Sequence, residues 1–380
     1  MARRSIGTIA LASIILLIAG RLMGQTDVFN WEIPKPFPRP VVPVDNPMTV
    51  AKVELGRYLF YDKRMSLNGK ESCASCHRQE LAFTDGRARA EGTTGELHPR
   101  SSMSLANIGY SPLLTWANPS LSTLEEQALL PMFGTEPIEL GLKGHEDQFL
   151  ATIRPDPVYQ ELFPRAFPGE SSLYTMGNVT KAIAAFERTI ISMTSPYDRY
   201  RYGNDPSGIS DSSKRGENLF FSGQKTGCLR CHGSWNFNGP LRYEGGVTPR
   251  VLFDNTGLYN IPGAFSYPLP NTGLYQYTNR PEDIGKFRAP TLRNIAVTAP
   301  YMHDGSIATL EEVVDHYAAG GRAIESGPYA GAGNNNPNKS LRVRGFKLTA
   351  AEKDDLIAFL NSLTDTEFLN NPKLADPWKR

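Results

Sequence analysis

Two stretches near the C-terminus carry apolar residues at the 3.6-residue period of a helix. In the first, Leu310, Val313, Val314 and Tyr317 stand at i, i+3, i+4 and i+7, so one stripe faces inward while His316 points away from it. Thr309 supplies the N-cap, Glu312 the capping-box partner, and Gly320-Gly321 end the element. In the second, Thr349 and Glu352 form the same box ahead of apolar positions 356, 357, 359, 360 and 363. Ser210 to Ser222 and Thr49 to Phe60 predict two further helices. Between these elements run loops rich in Gly, Pro and Asn, the longest from Gly320 to Gly345, whose Asn334-Asn335-Asn336-Pro337 offers no core.

The N-terminus is patterned differently. Arg3 and Arg4 precede an uncharged run from Ile6 to Gly20 that Arg21 closes. That run is short of the about 20 residues a bilayer span needs, so 1–25 is expected to be a secretory leader. An uncleaved anchor is the alternative, since residues 21–25 lack a small-x-small cleavage site. From 26 to 47 the chain has Pro at 34, 36, 38, 40, 43 and 47, which favours an extended strap over a packed element.

Composition then narrows the chemistry. With 40 basic and 39 acidic residues among 380, the formal charge is +1, which gives no field for a nucleic-acid backbone or an anionic membrane. All 4 Cys lie in two copies of one motif. These are Cys73-Ala74-Ser75-Cys76-His77 and Cys228-Leu229-Arg230-Cys231-His232, each a C-x-x-C-H site for c-type haem. Two thiols at that spacing can bond the two vinyl groups of one porphyrin, and the adjacent His rises beneath the iron. Zinc or a redox dithiol would not require that His. The expected fold is therefore mainly α, with two cytochrome c-like haem domains, 48–200 and 201–380, and long loops.

The identity of the sixth iron ligand separates electron transfer from chemistry. Taken alone, Tyr317 is either a core tyrosine or a ligand. A broader resemblance bears on the choice. Phe287-Arg288-Ala289-Pro290-Thr291-Leu292-Arg293-Asn294, Ala299-Pro300-Tyr301-Met302-His303-Asp304-Gly305 and Thr309-Leu310-Glu311-Glu312 resemble the signature of the bacterial di-haem cytochrome c peroxidase and MauG superfamily. Phe83-Thr84-Asp85-Gly86, Trp116, Glu126-Gln127-Ala128, Pro131 and Pro137-Ile138-Glu139 follow the order that family has. Its ordinary peroxidases place a Met fourteen residues after the His of H-D-G; here that place holds Tyr317, the MauG pattern. Thr94 to Ser101 most resembles the MbnH family.

The resemblance implies two covalently attached haems. The one on Cys73, Cys76 and His77 would meet hydrogen peroxide, with Glu139 as distal acid/base and Gln127 and Pro131 beside it. Two extra residues between Pro131 and Glu139 leave Glu136 as an alternative. The haem on Cys228, Cys231 and His232 would carry Tyr317, and Trp116 would lie between the irons. Together they would reach a high-valent state that oxidises residues of a secreted partner protein by long-range electron transfer, with tryptophan converted to kynurenine. The alternative is a peroxidase that reduces hydrogen peroxide with electrons from a small cytochrome or cupredoxin. A non-catalytic cytochrome is a third reading. His98 either closes the first haem or does not; His145 and His303 are expected to be structural, His303 near a propionate. The resemblance also implies calcium on the backbone oxygens of Thr298 and Pro300, with Ser101 where an Asn is usual. Location in the periplasm follows from the leader.

Overall fold

The computed structural model describes residues 28–263 and 265–379; the leader or anchor expected at 1–25 lies outside them. No helix among the described residues is long and apolar enough to cross a membrane. The architecture is helix-rich, and its longest strands are two-residue pairs, such as Phe253–Asp254 with Phe287–Arg288, antiparallel.

Five helices carry the argument: α1 (Val50–Tyr61), α2 (Met176–Glu187), α3 (Asp211–Phe220), α4 (Leu310–Ala318) and α5 (Ala350–Asn361). Each starts where a hydroxyl can satisfy an orphan amide. Thr49, Thr175 and Ser210 cap α1, α2 and α3. Both predicted capping boxes form: Thr309 Oγ accepts from the Glu312 N–H at 3.2 Å and Glu312 Oε2 accepts from the Thr309 N–H at 3.1 Å. At Thr349 and Glu352 the same two bonds are 3.2 and 2.8 Å.

The two halves repeat one packing device. α1 lies against α2, and α3 against α5, each pair crossing at a glycine. A methyl group on Gly56 would stand 1.9 Å from the Ala182 carbonyl oxygen, and one on Gly216 1.9 Å from that of Asp355. The helix leading to each C-x-x-C-H motif can therefore press directly on the last long helix of its half. Replacing either glycine by Ala should destabilise the loaded protein by about 1–3 kcal/mol through overpacking. Gly177→Ala, which meets nothing closer than 3.8 Å, should not; thermal unfolding of the three variants checks this.

One core gathers Leu55, Leu59, Phe60, Phe83, Phe163 and Phe186; a second gathers Phe220, Phe237, Leu356 and Phe359. The chain passes between them more than once. Phe368 and Leu374 return to the first core, and Ala117 joins the second. The proline-rich strap lies along both halves: Tyr110 donates to the Pro38 carbonyl at 2.7 Å, and Pro40 bridges to Tyr243.

Two expectations need correction. The Gly320–Gly345 loop is packed, because glycines in it permit close backbone approach. Gly333 touches the Gly257 carbonyl, and Asn336 is buried, its amide donating to the Tyr259 carbonyl at 2.9 Å. Arg342 pins the loop to Asp254 at 2.5 Å. His316 lies off the Tyr317 stripe as expected but is itself buried, with neither ring nitrogen hydrogen-bonded. Burial lowers its pKa to about 4, so it stays a neutral ring under the loop.

Candidate functional site

Each C-x-x-C-H motif forms a single helical turn that places its histidine over its first cysteine. His77 N–H donates to the Cys73 carbonyl and His232 N–H to that of Cys228, both at 3.0 Å. The imidazoles are fixed from behind: Nδ1 of His77 lies 2.8 Å from the Phe83 carbonyl oxygen, and Nδ1 of His232 lies 2.5 Å from that of Phe237. With Nδ1 so engaged, Nε2 is the free nitrogen of each ring, the orientation that second-shell carbonyls give iron-binding histidines. Burial lowers both histidine pKa values and so favours the neutral form that a metal ligand requires.

Both turns open onto large cavities. They contain 1410 and 1370 Å³ of non-protein space, solvent at the mouths included. Inward histidine, paired thiols and room for a macrocycle fit a haem in each.

The first cavity, behind Cys73, Cys76 and His77, is lined by Gln127, Pro131, His98 and Glu139. Glu139 is held by its own backbone. Its carbonyl accepts from Thr93 N–H at 2.7 Å, and the next residue, Leu140, donates to the Pro131 carbonyl at 2.8 Å. Gly92 permits this approach, since a Cβ there would meet the Ile138 carbonyl oxygen at 1.9 Å. Burial pushes the Glu139 carboxyl up to about 7, which matches a group meant to exchange protons near neutrality. Glu136 is exposed and does not line the cavity. His98 Nε2 lies 3.9 Å from Glu139 Oε1, so the loop histidine sits beside the candidate acid. His145 is remote from both cavities, 3.3 Å from the Gln148 side chain.

The second cavity, behind Cys228, Cys231 and His232, is lined by the whole predicted stripe of α4: Leu310, Val313, Val314 and Tyr317. Met302 and His303 also reach it. Burial, with the neighbouring Cys231 and Cys228 thiols, drives the Tyr317 phenol above its ordinary pKa. A bound ferric ion would reverse that preference, as metal charge does for any coordinating oxygen.

Among the described residues Trp116 alone lines both cavities, and its indole N–H donates to the Ser101 carbonyl at 2.9 Å. Of the residues expected at calcium, Ser101 is tied to the segment just after Pro300, its hydroxyl donating to the Met302 carbonyl at 3.2 Å. Among the described residues no group of three or more His, Cys, Asp or Glu side chains could hold a metal.

Three lining residues were missed in the sequence. Arg100 and Arg288 stand in runs that carry the resemblance, but nothing in either run marks them as buried. Glu187 had a signal, a lone acid ending the apolar run Ala182-Ile183-Ala184-Ala185-Phe186. It is buried in the first cavity wall, one oxygen unpartnered, and burial pushes its carboxyl up to about 8.

Two cavities, each closed by a C-x-x-C-H turn and sharing Trp116 as a wall, are the arrangement a di-haem protein requires. Comparison with known proteins gives the family. A family model described as di-haem cytochrome c peroxidase matches residues 50–206. Cytochrome-c peroxidase IdrP1 of Denitromonas iodatirespirans is 36% identical over 373 residues, 90% of each chain. Methylamine utilization protein MauG of Methylorubrum extorquens is 33% identical over 321 residues, covering 84% of this chain and 80% of its own. A solved structure described as a MauG-like protein associated with microbial copper homeostasis shares 48% identity at a TM-score of 0.89, covering 92% of this chain and all of the other. The chain belongs to the di-haem cytochrome c peroxidase and MauG family: it is a peroxide-dependent di-haem oxidoreductase.

Proposed function

We propose that this enzyme uses hydrogen peroxide to oxidise residues of a secreted partner protein, with tryptophan converted to kynurenine as the expected change. Tyr317 carries the proposal. It lines the Cys228 cavity at the place where the ordinary peroxidases have Met. A phenolate there lowers the reduction potential that a Met would raise, which suits a site that stores oxidising power over one that collects electrons from a small cytochrome. The copper-associated MauG-like structure at 48% identity supports the same direction.

In this proposal 48–200 and 201–380 are the two haem units, attached through Cys73 and Cys76 and through Cys228 and Cys231, with His77 and His232 as proximal ligands. Haem supplies the redox chemistry. Glu139 accepts and returns the peroxide proton, with Gln127 and Pro131 shaping the space around it. Tyr317 seals the second site, and Trp116 couples the two. Export follows from the N-terminal leader, and a calcium ion near Ser101, Thr298 and Pro300 from the family resemblance. The 36% identity to a cytochrome-c peroxidase favours peroxide detoxification as the second reading.

One assay separates the two. Loaded enzyme is given peroxide with either reduced cytochrome c or a small exported protein that contains tryptophan, offered as candidate substrate. The proposal expects kynurenine in the protein by peptide mass spectrometry and slow cytochrome oxidation. Rapid cytochrome turnover with an unmodified partner would replace it with the peroxidase reading.

A further inference from the structure

The described residues include four buried arginines: Arg100, Arg188, Arg288 and Arg293. Two are neutralised by carboxylates, Arg293 by Asp198 at 2.7 Å and Arg188 by Glu125 at 2.8 Å. The other two have only neutral acceptors. Arg100 Nε donates to Asn271 Oδ1 at 2.8 Å, and one of its terminal nitrogens to the Gln276 side chain. Arg288 Nε donates to the Thr115 carbonyl at 2.6 Å, another nitrogen reaches the Ala289 carbonyl at 3.4 Å, and a third lies 3.5 Å from the Met103 sulfur. These two unpaired guanidiniums are the ones that line the haem cavities, Arg100 the first and Arg288 the second.

Their positions are linked through Trp116. Arg288 N–H donates to the Trp116 carbonyl at 3.0 Å. Arg100 lies over the Phe287 ring, 5.4 Å from its centre, and His303 stacks on that ring at 3.7 Å. His303 is buried, lines the second cavity and has no hydrogen-bond partner for Nε2. His303 Nε2 has the Asp304 carboxylate 4.0 Å away, so the two buried groups without an anion at the seam between the cavities are Arg100 and Arg288. Burial lowers the pKa of both guanidiniums, Arg288 to about 10. A buried cation without a counter-charge is strongly unfavourable, and haem brings two carboxylates on one edge.

We infer that Arg100 and Arg288 are cofactor-carboxylate anchors, each pairing with a haem propionate of the cavity it lines and setting that haem's orientation and potential at the Trp116 seam. The inference rests on a haem in each cavity and is independent of which substrate the enzyme oxidises. Arginine suits the task because its planar fork meets a carboxylate through two bonds. A positive charge at the propionate favours the reduced iron, so its loss lowers the potential.

The test is a potentiometric titration of loaded wild type, Arg100→Gln, Arg288→Gln and the matching Lys variants, with haem content measured first. Fewer than two haems in the wild type would remove the haem assignment itself. With two haems bound, Arg288→Gln should shift the Fe(III)/Fe(II) equilibrium of the His232 haem by tenfold or more toward Fe(III), about 59 mV for one electron. Arg100→Gln should do the same for the His77 haem, and Lys should restore much of each shift. Should a Gln variant fail to retain its haem, the Lys variant is expected to hold it. Unchanged potentials in fully loaded Gln variants, or haem loss in Gln and Lys variants alike, would overturn the assignment.

Discussion

Tyr317→Phe is expected to leave both haems attached and to abolish the oxidising equivalent that otherwise persists after peroxide is added. In the proposed arrangement attachment rests on Cys228 and Cys231, which the substitution leaves in place. The phenyl ring keeps the packing with Val313 and Val314 along the wall of the second cavity. What disappears is the oxygen that can bear negative charge at the iron. Without it the second site holds the oxidised state poorly, and partner oxidation should fall to background. Stopped-flow spectra of the ferric variant check this: a feature that decays as slowly as in the wild type would remove Tyr317 from the iron.

Glu139→Gln should slow the reaction with peroxide by about 10²-fold or more, the ordinary contribution of a positioned acid/base. The amide fills the same space and keeps the backbone bonds to Thr93 and Pro131, so the loss is chemical. The pH dependence carries a sign. A base must be deprotonated to accept the first peroxide proton, and Glu139 is raised to about 7 by burial. The wild-type rate should therefore climb as pH rises through about 7 and level above it, and the variant should lose that limb. A variant with the wild-type rate and limb would assign the proton transfer elsewhere, to His98 first, 3.9 Å away.

What the sequence made legible was local. Capping residues lie within four positions of the amides they satisfy, so Thr309 with Glu312 and Thr349 with Glu352 could be placed without a fold. The C-x-x-C-H turns are equally short-range, and the Tyr317 stripe follows from helical geometry alone. The unread features join distant segments. Arg100 is buried by residues near 271 and 276, and Arg288 by residues 103 and 115; neither side chain differs in its local pattern from a solvated arginine. His98 meets Glu139 only because the Glu91–Leu97 bridge folds that loop back. The Gly320–Gly345 segment looked like a loop without a core because glycine and asparagine contribute close backbone contacts and amide bonds, which hydropathy does not register.

The account stands on two unlike haem sites, one open beside Glu139 and one sealed by Tyr317. Electron paramagnetic resonance combined with near-infrared magnetic circular dichroism of the ferric protein identifies the axial ligands directly. The expected result is two haems per chain, with a phenolate oxygen opposite His232. Sulfur at that position, which Met302 is placed in the same cavity to supply, or nitrogen, or a single haem per chain, would contradict it.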